Sequence, residues 1–391
     1  MLSKQLTAAL QARESKGTRR RLLLKDAEIA RRLKQCIDFS SNDYLSISDA
    51  KQAREAVAKK LMQGLALGST GSRLLDGDSD AHTALEERLA REFDAEAALL
   101  FNSGFDANVS LLTTLPQSGD AIIYDELVHA SMHDGMRSSR AKIRHAFKHN
   151  DPMNLGMILS EIVPKSQNVF LALESVYSMD GTVCRLNELL DVFFQYVPDP
   201  ERRCILVDEA HGIGVYGEKG TGLVAALNAC DTVDIRLLTF GKALGSSGAA
   251  VLCSQLQREY LLNYARPLIY STALSPVVVA SIDAMLDVLR EDTQRQAMLH
   301  ARTRYMYDAL NRGITPSLVP PSPILPVRSQ QAKALAAHLQ TQGFLVRGVT
   351  YPTVPVGEDR IRICIHANNT EAQISALAAE ILRWENGKAL L

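Results

Sequence analysis

The fold is decided by two segments of the chain, Cys204-Ile-Leu-Val-Asp-Glu-Ala-His-Gly-Ile-Gly-Val-Tyr-Gly217 and Thr239-Phe-Gly-Lys-Ala-Leu-Gly-Ser-Ser-Gly248. The first segment contains a short apolar run, and the second lies at the end of another. Neither run alternates with polar residues, which is typical of a strand buried on both faces of a sheet. Asp208 ends the first strand, His211 lies three residues later, and Lys242 lies 34 residues beyond Asp208. The pattern predicts a buried carboxylate and an amine on neighbouring strands.

Similar apolar runs recur through the middle of the chain and alternate with helical patterns. One helix, with Leu85, Leu89 and Phe93 at four-residue spacing, precedes the first run. The alternation predicts an α/β fold with a mostly parallel central sheet. The predicted strands are residues 97–101, 121–124, 169–173, 204–207, 236–240 and 249–253.

The C-terminal part predicts a smaller α+β unit, reached through a helical stretch at 277–310 and a proline-rich connector at 316–326. A strand at 324–327 is expected at a sheet edge, because Pro326 cannot donate a hydrogen bond to a ladder. A helix at 332–339, strands at 344–349 and 360–365, and a last helix opened by the capping-box pattern Thr370-Glu-Ala-Gln373 follow. We therefore predict an N-terminal segment 1–45, a large domain 46–285 and a small domain 286–391.

Composition narrows the class of protein. The chain has 391 residues, 46% hydrophobic and 22% charged, and a formal net charge of -1, which is typical of a globular protein without bulk attraction to nucleic acid or anionic membranes. The six cysteines lie far apart and form no CxxC pair, which argues against a zinc site and favours a reducing compartment. Without an apolar run of membrane length or a secretory block, we expect a cytoplasmic enzyme.

Two familiar motifs overlap the first segment, and each lacks its context. Gly212, Gly214 and Gly217 spell G-x-G-x-x-G, but a dinucleotide-binding turn must open directly into a helix, and Glu-Lys-Gly-Thr-Gly is poor helix. A nicotinamide oxidoreductase therefore stays an alternative that a visible spectrum would test. The string Asp208-Glu-Ala-His211 occurs in helicases, but the chain has no phosphate-binding G-x-x-x-x-G-K-[ST] upstream, which excludes that class.

Lys242 has the sequence setting of a lysine that forms a Schiff base. It follows an apolar strand and is flanked by small residues, so that weak solvation would lower its pKa and a flat cofactor would have room. Taken alone, a lysine after a strand is more often a surface residue. Asp208 favours a Schiff-base lysine over a surface lysine, because a buried carboxylate can keep a pyridine nitrogen protonated and so make the ring an electron sink.

The motifs taken together resemble the α-oxoamine synthases, which belong to the aspartate-aminotransferase-like enzymes that use pyridoxal phosphate. The resemblance runs nearly end to end. The matching segments, in the family's order, are Ser41-Asn-Asp-Tyr-Leu-Ser46, Gly68-Ser-Thr-Gly-Ser-Arg73, Phe101-Asn-Ser-Gly-Phe-Asp-Ala-Asn108, Asp125-Glu-Leu-Val-His-Ala-Ser131, Glu174-Ser-Val-Tyr-Ser-Met-Asp-Gly181, Val207-Asp-Glu-Ala-His-Gly212, Thr239-Phe-Gly-Lys242, Tyr270-Ser-Thr272 and Arg360-Ile-Arg362.

The resemblance implies a role for each candidate site residue. His129 would stack on the pyridine ring; Ser178, Asp208 and His211 would hold the ring edge. The phosphate would be bound by Ser103, Gly104, Phe105 and Thr239, and by Thr272 from the other subunit of an obligate homodimer. Arg362 and Asn42 would hold the carboxylate of the amino acid, and Arg360 is expected to be a salt-bridged strand residue. Catalytic roles would fall to Lys242, Asp208, His129 and His211, without a metal.

The resemblance also implies the reaction: an amino acid condenses with an acyl thioester and loses carbon dioxide to give an α-amino ketone. The residues of these motifs resemble those of family members that use L-alanine and a pimeloyl thioester, whose acyl group is carried by coenzyme A or by a carrier protein. Arg19, in the run Arg19-Arg20-Arg21, falls where such enzymes keep an arginine for the pimeloyl carboxylate, although a solvated helix face is the simpler interpretation of a basic run.

Two features of the chain leave alternatives within the family. Thr70 stands where many members have glycine, so that a relative using glycine or serine with another acyl group remains an alternative. A non-catalytic partner subunit, as some members are, would lack the Schiff-base lysine, and this chain has Lys242.

Overall fold

The computed structural model describes residues 2–20, 31, 33–314 and 317–387. A seven-stranded sheet forms its centre, with the strand order β2-β8-β7-β6-β5-β3-β4. These strands are β2 (Ala97–Phe101), β3 (Ala121–Asp125), β4 (Ile143–Phe147), β5 (Val169–Glu174), β6 (Arg203–Asp208), β7 (Ile235–Thr239) and β8 (Ala249–Cys253). Only β8 runs antiparallel to its neighbours, so the predicted mostly parallel α/β sheet is confirmed.

Helices connect and cover the sheet strands. Every residue of β2, β7 and β8 is buried, as the continuous apolar runs predicted. The helices are Leu2–Ser15, Lys51–Met62, Asp80–Glu92, Gly104–Thr114, Ala130–Arg137, Pro152–Ile162, Leu186–Tyr196, Leu223–Ala226, Gln255–Tyr264, Arg266–Ile269, Pro276–Glu291, Gln294–Ala309, Ala332–Thr341 and Glu371–Gly387, with 3₁₀ turns at Val163–Lys165, Pro200–Arg202 and Glu218–Gly220.

A second sheet has three antiparallel strands in the order β11-β12-β9, namely β11 (Arg347–Val349), β12 (Arg360–Cys364) and β9 (Ile324–Arg328). As predicted, β9 with Pro326 lies at the edge. The strand predicted at 344–349 is wrong in detail, because it is two strands: β11, and β10 (Phe344–Leu345), which pairs with β1 (Ile37–Asp38). The chain after β1 follows β12, with Cys364 N–H donating to Phe39 O at 2.8 Å and Ala367 N–H to Tyr44 O at 2.8 Å.

Helix boundaries follow the sequence signals with one correction. The stretch predicted at 277–310 is two helices, because Asp292 has ψ 74 and breaks the hydrogen-bond ladder between them. The capping box before the last helix is confirmed: Gln373 N–H donates to Thr370 Oγ1, and Thr370 N–H to Gln373 Oε1. Ile374, Leu377 and Ile381 are buried on the predicted face. The division at 45 and 285 stays a prediction.

Over the part of the chain that the structure describes, no helix is both long enough and apolar enough to cross a lipid bilayer.

Candidate active site

The candidate site lies where β5, β6 and β7 end. Glu174 is the register partner of Asp208 on the adjacent parallel strand, and Asp208 in turn pairs with Leu237 of β7. Thr239 is the last residue of β7, and Lys242 follows it by three residues. In open α/β sheets the carboxyl ends of the strands form the ligand-binding crevice. The topology therefore brings Asp208, Thr239 and Lys242 to the same edge.

Lys242 is partly buried beside two carboxyl groups. Burial lowers the pKa of its amine, while the charges of Asp208 and Glu174 act in the opposite direction. Burial and the nearby Asp208 raise the pKa of the Glu174 carboxyl well above its ordinary value. A neutral amine is therefore available nearer to neutral pH than for an exposed lysine, which suits a nucleophile or a base.

Asp208 is held by donors from both sides. Its Oδ1 accepts a hydrogen bond from Ala210 N–H at 2.8 Å, and its Oδ2 accepts one from Asn108 Nδ2 at 2.8 Å. The same Asn108 amide donates to Ser131 Oγ at 3.0 Å, and Ser131 Oγ lies 2.8 Å from His129 Nδ1. A single hydrogen-bonded chain thus connects the carboxylate with His129, which is an exposed residue.

His211 is buried in the turn that follows Asp208, with a relative exposure of 4%. Its Nδ1 lies 2.7 Å from the hydroxyl of Tyr44. Burial, together with the charges of Lys242 and Arg362, lowers the pKa of His211 well below its ordinary value. The ring is therefore neutral at physiological pH, with one nitrogen that donates and one that accepts.

Ser103, Gly104 and Phe105 form the start of a helix beside Thr239. Ser103 is the N-cap of Gly104–Thr114, and its hydroxyl accepts from Asp106 N–H. A Cβ on Gly104 would lie 2.5 Å from Thr239 Cγ2, so only glycine allows this approach. The Oγ1 of Thr239 is buried and has no hydrogen-bond partner among the residues described. A helix N-terminus with an adjacent unpaired hydroxyl suits an anion such as a phosphate.

Arg362, on β12, points to the crevice from the second sheet, with a relative exposure of 9%. Its Nη1 and Nη2 each donate to Asn42 Oδ1 at 3.1 Å, its Nε donates to Ser178 O at 2.6 Å, and its Nη1 lies 2.9 Å from Cys364 Sγ. Within the described ranges, no carboxylate pairs with it. Arg360 differs, since it forms ion pairs with Asp180 and Glu358 and is the salt-bridged strand residue that its position predicted.

Two predicted site residues lie apart from this cluster. The exposed Thr272 is held through its carbonyl, which accepts from Asn102 Nδ2 at 2.8 Å, one residue before Ser103. Arg19 follows the first helix and pairs with Glu14 at 3.0 Å. The described contacts of Arg19 include none of the other predicted site residues. Arg21 lies outside the described residues.

Gly212 of the G-x-G-x-x-G motif makes room for Glu209, and the next α-helix, Leu223–Ala226, is short. The buried Glu209 carboxylate accepts hydrogen bonds from Leu223 N–H at 3.0 Å and Val224 N–H at 2.6 Å. A Cβ on Gly212 would lie 1.9 Å from Glu209 Oε2, and one on Gly222 would lie 2.8 Å from Oε1. Gly212, together with Gly222 outside the motif, therefore makes room for a buried carboxylate that holds the loop behind Asp208, which argues against a dinucleotide site.

We expect the substitution Gly212→Ala to destabilise the protein by about 2–4 kcal/mol, because the methyl group would displace the Glu209 carboxylate from its two backbone donors. Urea unfolding measures this loss. Gly68→Ala is the matched control, since a Cβ there meets no atom within 4 Å. Equal stability of the two variants would contradict this account of the motif.

Several residues of the site escaped the sequence reasoning. Glu174, Asn108 and Tyr44 lie inside the quoted motifs, but no role was predicted for them. Glu174 had the same signal as Asp208, a carboxylate that ends a buried apolar strand. Asn108 and Tyr44 had no comparable signal, because their partners Asp208 and His211 are 100 and 167 residues away in the sequence.

The arrangement fits pyridoxal phosphate on three grounds observed in this chain. The Oγ1 of Thr239, buried and unpaired in the described structure, and the helix start at Gly104 suit the phosphate. The carboxylate of Asp208 suits a protonated pyridine nitrogen. The amine of Lys242, with its lowered pKa, suits a Schiff base with the aldehyde. These residues would hold the cofactor between His129 and the sheet edge.

Comparisons with known proteins agree with this chemistry. The family model described as aminotransferase class I and II matches residues 34–381. The chain is 42% identical to an 8-amino-7-oxononanoate synthase from Emericella nidulans, over 97% of this chain and 95% of that protein. The fold is similar to an 8-amino-7-oxononanoate synthase from Francisella tularensis (TM-score 0.75, 29% identity, 92% of this chain and 100% of that one). It is also similar to a serine palmitoyltransferase from S. paucimobilis with bound pyridoxal phosphate and myriocin (TM-score 0.83, 26% identity, 95% and 100%).

Proposed function

The chain belongs to the class I and II aminotransferase family and, within it, to the α-oxoamine synthases, which are acyltransferases that use pyridoxal phosphate; from this we propose that it condenses L-alanine with a pimeloyl thioester to give 8-amino-7-oxononanoate, a step of biotin synthesis. The relative from Emericella nidulans, which matches over almost the whole chain and is named an 8-amino-7-oxononanoate synthase, supports this product.

The observation that carries the amino-acid part of the proposal is the unpaired cation at Arg362. A buried guanidinium without a carboxylate partner is costly unless a ligand supplies the charge. Asn42 Oδ1 and Ser178 O fix the guanidinium from two sides, so that its orientation is set before a substrate arrives. An amino-acid carboxylate is the anion that a guanidinium binds through two parallel hydrogen bonds.

The proposed chemistry assigns one task to each charged residue. Arg362 fixes the carboxylate and thereby the orientation of the Cα–H bond, and Lys242 removes the Cα proton as the base. When bound, pyridoxal phosphate supplies the electron-withdrawing ring, and Asp208 keeps the pyridine nitrogen protonated. Cα then forms a bond to the acyl carbon while the C–S bond breaks, and the leaving thiolate takes a proton from solvent. The bond from Cα to the carboxyl carbon breaks to release carbon dioxide, and Cα takes back the proton held by Lys242.

The acyl part of the proposal rests on the basic segment after the first helix. Lys16 and Thr18 line a groove of about 580 Å³ together with Lys333 and Tyr351 of the C-terminal part. Arg19 and Arg20 directly follow, and both are exposed. The far carboxylate of a pimeloyl group needs a cation, and a guanidinium binds it through two hydrogen bonds. We propose that the arginine run supplies this contact.

We expect replacement of Arg19, Arg20 and Arg21 by alanine to raise the KM for the pimeloyl thioester about tenfold to a hundredfold, since a charge-assisted hydrogen bond contributes about 1.5–3 kcal/mol. Carbon dioxide release from L-alanine is the assay. A thioester of similar length without the terminal carboxylate is the control, and its KM should hardly change. Equal changes for both substrates would mean that the run is only a solvated surface.

A second candidate function stays within the family. The structural similarity to a serine palmitoyltransferase favours serine, or glycine, with a different acyl thioester. The same assay across amino acids and acyl thioesters separates the two. A preference for glycine or serine with a long unbranched acyl chain would contradict the pimeloyl proposal and leave the chemistry at Lys242 intact.

We also propose that the protein acts in the cytoplasm as a homodimer whose sites share residues. Large apolar side chains are exposed in the two segments concerned: Tyr270, two residues before Thr272, is 71% exposed, and Leu74 and Leu75 are 51% and 79% exposed in the segment whose Gly71 carbonyl accepts from Ala273 N–H. Exposed apolar groups concentrated near one contact favour a protein partner over solvent. Thr272 lies among them and would reach the phosphate of the other subunit.

Mixing Lys242→Ala and Thr272→Ala protomers tests the shared site. In a heterodimer both lesions meet in one site, and the other site keeps Lys242 from one chain and Thr272 from the other. We therefore expect the activity of the mixture to rise above that of either parent. An activity that does not rise would assign Thr272 to its own subunit.

A further inference from the structure

The hydroxyl of Tyr44 connects three residues of the candidate site that come from distant parts of the chain. Tyr44 is fully buried, with a relative exposure of 0%. Its oxygen lies 2.7 Å from His211 Nδ1, 3.1 Å from Asn42 Oδ1 and 3.5 Å from Arg362 Nη2. The backbone of Tyr44 is fixed as well, because its carbonyl accepts from Ala367 N–H at 2.8 Å.

The hydroxyl has a single proton and two possible acceptors, Asn42 Oδ1 and His211 Nδ1. Both Nη atoms of Arg362 already donate to Asn42 Oδ1 at 3.1 Å, which occupies the two lone pairs of that carbonyl oxygen. The distance to His211 is also the shorter one. The proton of Tyr44 therefore lies towards His211 Nδ1, and the neutral ring must carry its own proton on Nε2.

We propose that Tyr44 is a positioning residue that holds His211 as an Nε2–H donor towards the ring of the bound cofactor. The inference rests on the proposed function, in which pyridoxal phosphate occupies this crevice. Tyr44 itself touches neither cofactor nor substrate in this scheme. Tyr44 acts through His211. The contact of Tyr44 with Arg362 places the Nε2–H donor of His211 next to the proposed carboxylate site.

The charged groups around His211 determine whether its ring is neutral, which the proposal requires. The groups that face its ring or share its turn are Tyr44, Asp208, Glu209, Lys242, Arg362 and His129. Burial and the positive charges of Lys242 and Arg362 disfavour a second proton on the ring, so the ring stays neutral. A neutral ring can have either tautomer, and the hydroxyl of Tyr44 is what selects between them.

The test is the pH titration of the visible band of the holoenzyme. A donor to the negatively charged ring oxygen stabilises that charge and weakens the hold on the proton of the linkage to Lys242, which lowers the pH at which the band titrates. In Tyr44→Phe no hydroxyl remains to keep the proton of His211 on Nε2. We expect the midpoint to rise by about one pH unit, which corresponds to about 1.4 kcal/mol.

Tyr216→Phe is the matched control. Tyr216 is also buried, and its hydroxyl has no hydrogen-bond partner within residues 2–20, 31, 33–314 and 317–387, so the variant should titrate as the unaltered enzyme does. An unchanged midpoint in Tyr44→Phe would overturn the role of Tyr44. A wild-type protein without any visible band would instead overturn the proposed function, so the two failures are distinguishable.

A second measurement needs no change to Tyr44. ¹⁵N NMR of the histidine-labelled holoenzyme reports which ring nitrogen carries the proton, and a His211→Gln sample identifies the signal by subtraction. We expect a protonated Nε2 and an unprotonated Nδ1. A proton on Nδ1 would overturn the proposal even if Tyr44→Phe were too unstable to purify.

Discussion

The substitution Lys242→Ala should reduce turnover by at least about a thousandfold, because it removes the base at Cα together with the amine that links the cofactor, and a positioned base alone contributes on the order of 10²–10⁴. Carbon dioxide release in single-turnover conditions measures the loss. Burial lowers the pKa of Lys242, so the unaltered enzyme should become active as pH rises through a value below that of an exposed lysine.

Lys148→Ala is the control, since that side chain is exposed and follows β4, the outermost strand of the sheet. Borohydride reduction followed by peptide mapping tests the attachment directly, and the pyridoxyl group should be found on Lys242. A label on Lys148 or on Lys219 would contradict the assignment, whatever the activity of the variants.

Local signals were enough to predict the central sheet. The strands β2 and β8 have the predicted bounds because their side chains are buried on both faces, which produces an unbroken apolar run. The edge strand β4 (Ile143–Phe147) was not predicted, since Arg144 and His145 are exposed and interrupt the apolar pattern. Where burial is one-sided or partial, periodicity alone could not separate a strand from a loop.

A site residue could be predicted only where the sequence next to it indicated a role. Asp208 and Lys242 follow apolar strands, and such strand ends meet at one sheet edge. The hydrogen bonds that tune them depend on contacts between distant segments: Asn42 and Arg362 are 320 residues apart, and Tyr44 and His211 are 167 apart. The local sequence does not indicate such contacts. The first pair is brought together where the chain after β1 follows β12, through the hydrogen bonds from Cys364 N–H to Phe39 O and from Ala367 N–H to Tyr44 O.

Thr70 departs from the family pattern, and only the structure shows the physical consequence of this departure. The family's usual glycine at this position was known only from the resemblance, and the structure gives its physical reason: Thr70 has φ 56, a left-handed conformation that a β-branched residue rarely adopts. The departure is therefore a strained backbone position.

The substitution Asp208→Asn should lower turnover by about a hundredfold or more while the cofactor stays bound, which corresponds to about 2.7 kcal/mol of lost transition-state stabilisation. A neutral amide cannot keep the pyridine nitrogen protonated, so the ring withdraws electrons from Cα less strongly. The phosphate contacts proposed for Thr239 and Gly104 and the linkage to Lys242 are untouched by this change. The visible band and the borohydride label on Lys242 should therefore persist in a nearly inactive protein.

The same substitution also has a structural cost, which must be separated from the chemical one. Both oxygens of Asp208 accept hydrogen bonds, from Ala210 N–H and from Asn108 Nδ2, and an asparagine can accept only one of them. We expect about 1–3 kcal/mol of lost stability from the donor left unpaired. Asp234→Ala is the control, because Asp234 accepts from Ile205 N–H at 2.7 Å, which alanine cannot do, and precedes β7 at the opposite end of the strand. That variant should lose stability and keep its turnover, whereas near-normal turnover in Asp208→Asn would contradict the proposed role of the carboxylate.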